Sequence, residues 1–448
     1  MARIVIVGLG TSGFAAILAA KKTDRKAEIT VIDDKTYDLM HPCGLPYAIE
    51  GIIDSLDKLK HPLGLERMGV TLHHPYRATS IDPENQIVKA DNIETNEKLE
   101  VPYDKLIIST GAKPFMPPVP GIEKLIGKGV FTVSNTEDSA ALSDAAVPGK
   151  RAVCLGAGAI GLETAVALRR KGLEVTVVEM LDSVMPRALD PDMANLVQVH
   201  LEELGVRVVC GKPLEKVLGS DLLESVAVGG EEIPADLLVA AAGVRANIKL
   251  ATAAGAESGK VGLKVNGRME TSVQNIYAAG DCVETKSIID GLDFTLQLST
   301  IAYRQGTVAG TNAAGGNTAF TGVVGAFVSK VGDLEVAAVG YTAEFAKTRG
   351  YKTIFGKIKD TTLYDWYPGG LPLTVKVVAD SATGRVIGAQ AVGAAGAAVR
   401  VNVASAAIQA GMTLADMSRL ELAYCPAVSQ AYDPLCKAVD LALRKRGK

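Results

Sequence analysis

The sequence predicts an α/β protein in which two Rossmann-like units, the first interrupted by the second, are followed by a C-terminal α+β domain. Three observations carry this reading. A short apolar strand runs directly into a glycine loop and a helical stretch at Arg3–Lys22, the same order returns at Arg151–Glu179, and from about Phe320 the pattern changes to strands followed by helices.

In the first unit the strand Arg3 to Val7 leads into Gly8-Leu9-Gly10-Thr11-Ser12-Gly13, a helix over Phe14 to Lys22, and a second strand, Glu28 to Ile32, ending at Asp33. This is a dinucleotide-binding fingerprint. The first glycine makes the tight turn, the second lets backbone approach a pyrophosphate, the third lets the helix pack, and the acid bonds a ribose hydroxyl. The glycine spacing alone is weak; the strand before, the helix after and the acid beyond them make the case.

The second unit repeats it with strand AVCLG, loop Gly156-Ala157-Gly158-Ala159-Ile160-Gly161, helix Leu162 to Arg170 and strand EVTVVE ending at Glu179. Two fingerprints mean two dinucleotides, and a chain that binds both passes hydride or electrons between them. Glu179 is followed by Met180 and Leu181 with no arginine to receive a 2′-phosphate, so NADH is favoured over NADPH. Arg187 lies further on and keeps NADPH use open.

Tyr103 to Gly121 reads as a strand, a Thr-Gly-Ala turn and a proline-rich crossover. Asp236 to Asn247 closes the second unit around Gly243, and Ser272 to Cys282 forms another strand ending in Gly280-Asp281. Strands are expected at Thr374–Val378 and Val386–Val392, helices at Ala397–Gln409 and Leu414–Leu420. The expected domains are residues 1–112 with 246–318, residues 113–245, and residues 319–448.

Cys43 lies ten residues after Asp33, in the stretch Asp38–Gly51. Gly44-Leu45-Pro46 after it reads as a helix opening, with proline tolerated in the first turn. Helix-terminus charge would stabilise its thiolate by about 0.3–1 kcal/mol, which biases reactivity without creating it. The six cysteines, at 43, 154, 210, 282, 425 and 436, contain no C-x-x-C pair, so neither a zinc site nor a contiguous redox dithiol is written here.

With 47 basic against 50 acidic residues, the net charge of −3 gives no sign of a nucleic-acid or anionic-membrane partner. No apolar run approaches the ~20 residues that span a bilayer. The opening MARIVIVGLG leaves no room for a cleavable leader, so a cytoplasmic protein is expected.

With both fingerprints, the Thr-Gly-Ala turn, Gly280-Asp281 and CGLPY in place, the sequence resembles the FAD-dependent pyridine nucleotide-disulfide oxidoreductases over essentially its whole length. It is most similar to their single-cysteine branch of coenzyme A disulfide reductases, NADH oxidases and CoA-persulfide reductases. The resemblance implies an FAD-binding domain, an NAD(P)-binding domain and a C-terminal dimerisation domain. It implies that Gly8, Gly10, Thr11, Ser12, Gly13, Asp33, Asp34, Lys35, Pro42, Ala78, Thr110, Gly111, Gly280, Asp281, Leu298 and Ala302 hold FAD, with Asp281 on a ribityl hydroxyl. Gly156, Gly158, Ala159, Ile160, Gly161, Glu163, Glu179 and Gly243 would hold NADH or NADPH, with Glu163 beneath the nicotinamide. Cys43 becomes the redox centre, and Tyr367 and Tyr424 match the tyrosines that such homodimers send into the partner's site. A phenol can bond a sulfur anion or protonate a leaving thiolate.

Some residues depart from that branch. The CoA disulfide reductases usually carry Ser and Asn where this chain has Leu39 and Pro42, which puts CoA as the thiol carrier in doubt. Thr11 stands where the NADH peroxidases place a histidine in the first glycine loop, which disfavours a peroxidase. Lys21, Lys22 and Lys60 are where CoA-using relatives place cations for the CoA phosphates, although lysines also suit a helix end on dipole grounds.

Three readings follow. The first is an NAD(P)H-dependent reductase of a small disulfide, persulfide or polysulfide, with CoA-linked sulfur the best single choice, acting through Cys43. The second is an NADH oxidase that reduces O2 at the flavin. The third is an electron-transfer or redox-sensing flavoprotein that serves a protein partner.

Overall fold

The computed structural model describes residues 2–447, and their packing divides the chain into two units. One comprises Met1–Pro42, Ser55–Pro114 and Val244–Val323; the other comprises Cys43–Asp54, Phe115–Gly243 and Val324–Lys448. The segment that begins at Cys43 therefore groups with the second fingerprint. The C-terminal residues do so too.

In the first unit a parallel sheet has the order Ile276–Ala278, Lys105–Ile108, Arg3–Val7, Glu28–Ile32, Val70–His73. Its strands are near-continuous apolar runs because both faces are covered, and Ile4, Ile6, Leu106, Ile107 and Ile108 are fully buried. An antiparallel meander, Tyr76–Asp82, Ile87–Asn92 and Lys98–Pro102, lies within the same unit. Ala112–Pro114 pairs antiparallel with Val244–Ala246, where the chain leaves this unit and returns to it.

The helix Thr11–Thr23 packs against Ser299–Ala313 through glycines. A Cβ at Gly306 would stand 2.1 Å from the Ser12 carbonyl oxygen, and one at Gly310 2.1 Å from that of Ala16. The two helix backbones therefore nearly touch.

The second unit carries its own parallel sheet, ordered Val130–Phe131, Leu237–Ala240, Arg151–Leu155, Glu174–Val178, Val206–Val209. Its C-terminal part is a five-stranded antiparallel sheet ordered Phe327–Val331, Leu334–Gly340, Val386–Gly393, Pro372–Asp380, Thr353–Thr361. The helices Ala397–Gln409 and Pro434–Arg446 pack against that sheet, and all eight residues of Val386–Gly393 are buried.

Both fingerprint helices begin three residues earlier than the sequence suggests, at Thr11 and Ala159. The third glycine of each loop sits inside the first turn, so the loop residues before it are already helical. The helix opening expected after Cys43 is present, with Gly44 as the N-cap and Pro46 in the first turn. Pro42–Gly44 is a 3-10 turn, and the helix proper, Leu45–Glu50, is six residues long and stopped by Gly51 at φ +92.

Candidate active site

All the residues expected to hold FAD lie in the first unit. Gly8 has φ +101, and a Cβ on it would meet the Ser109 carbonyl oxygen at 2.2 Å. A Cβ on Gly13 would stand 2.1 Å from Gly8 O, whereas Gly10 has nothing within 4 Å. The first and third glycines thus close the turn onto its neighbours, and the second faces open space. Gly10 caps the helix Thr11–Thr23 without a side-chain hydrogen bond, which leaves the first-turn N–H groups available to an anion. These are the features a dinucleotide pyrophosphate requires, so the residues fit FAD.

Asp33 is 5 % exposed, and one carboxylate oxygen accepts from Leu9 N at 2.5 Å. The other accepts from Lys35 N at 2.9 Å and Lys35 Nζ at 2.6 Å. Asp34 pairs with Arg77 at 3.1 Å, beside Ala78. Thr110 Oγ1 donates to Asn247 O at 2.6 Å, which fixes the turn through Gly111 at φ +63. Burial pushes the Asp281 carboxyl up from its ordinary value. Leu298 caps the helix Ser299–Ala313, on which Ala302 is buried.

Polar partners that the sequence did not single out lie beneath this loop. The Ser12 hydroxyl hydrogen-bonds that of Ser109, both buried, so Ser12 turns its side chain into the core and offers its backbone to the loop. Gly280 N donates to the Oε1 of Gln305, 1 % exposed, at 2.8 Å.

The second fingerprint reproduces the first. Gly156 has φ +103 with a Cβ position 2.4 Å from Ala241 O, Gly158 has nothing within 4 Å, and a Cβ on Gly161 would stand 2.0 Å from Gly156 O. Ala159 and Ile160 open the helix. Glu179 accepts from Ala157 N at 2.8 Å and from Leu181 N at 2.9 Å. Gly243, at φ +101, also has nothing within 4 Å.

Cys43 is exposed in its 3-10 turn within this second unit. Glu163 accepts from Ser329 Oγ at 2.7 Å, from the Lys330 backbone N–H and from Tyr47 Oη, and burial pushes its carboxyl up despite these donors. Tyr47 and Ser329 are functional candidates the sequence reading missed. Tyr47 lies inside the quoted CGLPY motif, four residues after Cys43, and that spacing was the available signal.

The fold brings Tyr367 and Tyr424 into one aromatic cluster. Tyr364 stacks on Trp366 at 5.8 Å, Tyr424 meets Tyr364 edge-on at 6.3 Å and Tyr367 meets Trp366 edge-on at 6.1 Å. Trp366 is 68 % exposed and Tyr424 48 %.

The three lysines expected near a substrate lie in the first unit. Lys21 Nζ donates to Ala27 O at 2.9 Å and Gly69 O at 3.1 Å, so it ties down the helix end. Lys60 pairs with Asp57 at 2.9 Å and sits over the Tyr37 ring. Lys22 is exposed.

The sequence pattern described as "Pyridine nucleotide-disulphide oxidoreductase" matches residues 2–306, and that family's dimerisation domain matches residues 327–435. A protein of Methanocaldococcus jannaschii named "NADH oxidase" is 38 % identical over 448 residues, covering 99 % of each chain. A Pyrococcus furiosus protein named "NAD(P)H sulfur oxidoreductase (CoA-dependent)" is 33 % identical, covering 97 % of each. Among solved structures, a NAD-dependent persulfide reductase from A. fulgidus superposes with a TM-score of 0.95 at 36 % identity, covering 99 % of this chain and 83 % of that one.

Proposed function

This chain belongs to the pyridine nucleotide-disulphide oxidoreductases, and on that premise we propose that it uses NADH to reduce a small disulfide, persulfide or polysulfide through Cys43, with CoA-linked sulfur the best choice of substrate. The observation that carries this reading is the placement of Cys43, exposed on a turn that opens directly into a helix hydrogen-bonded to the second fingerprint helix. The names of the P. furiosus and A. fulgidus proteins support the substrate class.

The thiolate of Cys43 attacks a substrate sulfur, the S–S bond breaks, one thiolate leaves and Cys43 is held in a mixed disulfide. FAD, held by the first-unit residues, would supply the two electrons, drawn from NADH, by which this bond is reductively cleaved and the second thiol released. In sum, NADH, one proton and RSSR′ give NAD⁺, RSH and R′SH. In this reading Gly8, Gly10, Gly13, Asp33 and Asp281 hold FAD, while Gly156, Gly158, Gly161 and Glu179 hold NADH with Glu163 against the nicotinamide.

The active species is a homodimer in which Tyr367 and Tyr424 serve the partner's site. The match to the dimerisation domain and the exposed aromatic cluster within it support that assignment.

The test is a screen with NADH of CoA disulfide, CoA persulfide, polysulfide, glutathione disulfide and O2, on wild type and Cys43→Ser. Sulfur turnover lost in Cys43→Ser is expected. NADH consumption that is rapid without any sulfur substrate and survives in Cys43→Ser would instead establish an oxidase, the reading favoured by the name of the M. jannaschii relative. Changing Lys22 and Lys60 together to Ala should raise KM for a CoA-linked substrate and not for a non-phosphorylated one, if CoA is the carrier.

A further inference from the structure

Three pieces of the first unit that are distant in sequence meet at the turn Gly280-Asp281. The strand Ile276–Ala278 runs parallel to Lys105–Ile108, which runs parallel to Arg3–Val7, so the turn leaves the sheet at the same edge as the first glycine loop. It lies directly against the helix Thr11–Thr23, since a Cβ on Gly280, at φ +89, would stand 2.4 Å from Ser12 Oγ.

Backbone hydrogen bonds fix the two ends of the turn, from Ala279 N to Ile108 O at 2.9 Å and from Val283 N to Gly280 O at 3.0 Å. The N–H of Gly280 between them is taken up by a side chain. It donates to Gln305 Oε1 at 2.8 Å, and Gln305 is 1 % exposed.

Gln305 uses only half of its amide. Its Nε2 is buried and has no hydrogen-bond partner among the described residues. A buried donor without a partner gives up its hydration for nothing, so what this position gains from a glutamine is the oxygen. The next residue, Gly306, has its Cβ position 2.1 Å from Ser12 O. One turn of the helix Ser299–Ala313 therefore grips both the glycine-loop helix and the Gly280 turn.

Asp281 is the side chain that this turn presents. Among the described residues nothing donates to its carboxylate, which burial pushes up from its ordinary value. That suits a carboxylate whose partner is a hydroxyl of a bound molecule.

We propose that Gln305 is a positioning residue for FAD, which by accepting from Gly280 N fixes where Asp281 stands relative to the first glycine loop and so lets the two hold one cofactor. The inference rests on the reading above in which Gly8, Gly10, Gly13 and Asp281 hold FAD. Gln305 acts through the turn, because its amide nitrogen is shut off from a bound molecule as it is from solvent.

The experiment dilutes the holoenzyme and reads the released FAD by its fluorescence, which gives Kd for wild type, Gln305→Met, Asp281→Ala and the double variant. Methionine keeps the length of glutamine and withdraws the acceptor. Gln305→Met should weaken FAD binding about tenfold. Asp281→Ala should weaken it too, and in that background Gln305→Met should cost no more than about twofold, because the residue it positions is gone. Near pH 6 burial keeps a carboxyl at this position uncharged, so Gln305→Glu restores an oxygen for Gly280 N. It should return both the affinity and the visible circular dichroism of the bound flavin towards wild type. Gln305→Asn, which draws the oxygen back by one methylene, takes the place of Gln305→Met if the latter does not fold. An equal loss from Gln305→Met in both backgrounds would make Gln305 a packing residue and overturn the proposal, as would an unchanged Kd. An Asp281→Ala protein that holds FAD as wild type does would defeat the underlying reading instead.

Discussion

Lys376 Nζ lies 2.9 Å from Asp190 Oδ2, with side-chain exposures of only 4 % and 2 %. Lys376 sits in the middle of the strand Pro372–Asp380, also pairs with Asp192 at 2.7 Å, and stands 4.4 Å from the Phe355 ring centroid. Asp190 further accepts from Gln390 Nε2 at 2.8 Å. The second Rossmann-like sheet's helix Pro191–Glu203 is thereby fastened to the C-terminal sheet by a buried ion pair.

Removing one partner of such a pair leaves the other charge uncompensated, at a cost of about 3–5 kcal/mol. Lys376→Met is therefore expected to lower the thermal midpoint strongly. Asp190→Asn added to it should recover part of the loss. A double-mutant cycle on urea midpoints checks this, and additive losses from the two substitutions would show that the pair is not coupled.

The Gly306 and Gly310 contacts lead to a prediction on cofactor retention. Ala at either position would drive a methyl into the Ser12 or Ala16 carbonyl, costing about 1–3 kcal/mol of overpacking. The helices Thr11–Thr23 and Ser299–Ala313 must then separate, and the first carries the loop that fits the pyrophosphate. We expect the purified Gly306→Ala protein to hold FAD about tenfold or more weakly, read from flavin absorbance after dialysis. Unchanged flavin content in a folded variant would disprove the link.

The two glycine loops were legible in the sequence because the first glycine of each needs a positive φ and the first and third would drive a Cβ into a backbone carbonyl, while the second keeps open the space a pyrophosphate approaches. Cys43 was legible as an isolated cysteine before a helix opening. The Tyr47–Glu163–Ser329 ties were not, since they join segments more than 100 residues apart and no local periodicity encodes such a pairing. The burial of Lys376 has no local signal for a related reason. A lysine within an apolar strand reads as a solvent-facing position, and only the acids that arrive from the helix Pro191–Glu203 explain its burial. Lys21 illustrates the reverse, a cation read as a substrate contact whose ammonium the fold uses on two carbonyls.

Thiol chemistry should separate the six cysteines. Burial pushes Cys154 up to about 12 and Cys282 up to about 11, and burial followed by the charges of Glu179, Asp182 and Glu202 pushes Cys210 up to about 11. At pH 8 a thiol of pKa about 11 is roughly 10⁻³ thiolate, and the thiolate is the nucleophile. Iodoacetamide in the native state is expected to label the exposed Cys43 and Cys425 and to spare Cys154 and Cys282. Peptide mass spectrometry reads the pattern, and early labelling of Cys282 would contradict the burial argument.

Cofactor choice rests on Glu179, whose two carboxylate oxygens are held by Ala157 N and Leu181 N at the end of the strand Glu174–Val178. Held there, the carboxylate can accept from a ribose hydroxyl, and it repels a 2′-phosphate carrying nearly two negative charges. The next two side chains, Met180 and Leu181, are exposed and apolar, so they offer no cation in compensation. Each 1.4 kcal/mol of this difference is tenfold in relative efficiency. Wild type should therefore show kcat/KM for NADH at least about tenfold above that for NADPH. Glu179→Gln keeps an acceptor for Ala157 N but removes the charge, and should narrow the ratio chiefly by improving NADPH. Adding Met180→Arg supplies a guanidinium for the phosphate and should invert the preference. Steady-state kinetics with both nucleotides decide the matter, and a wild type that uses NADPH as well as NADH would show that Glu179 does not set the choice.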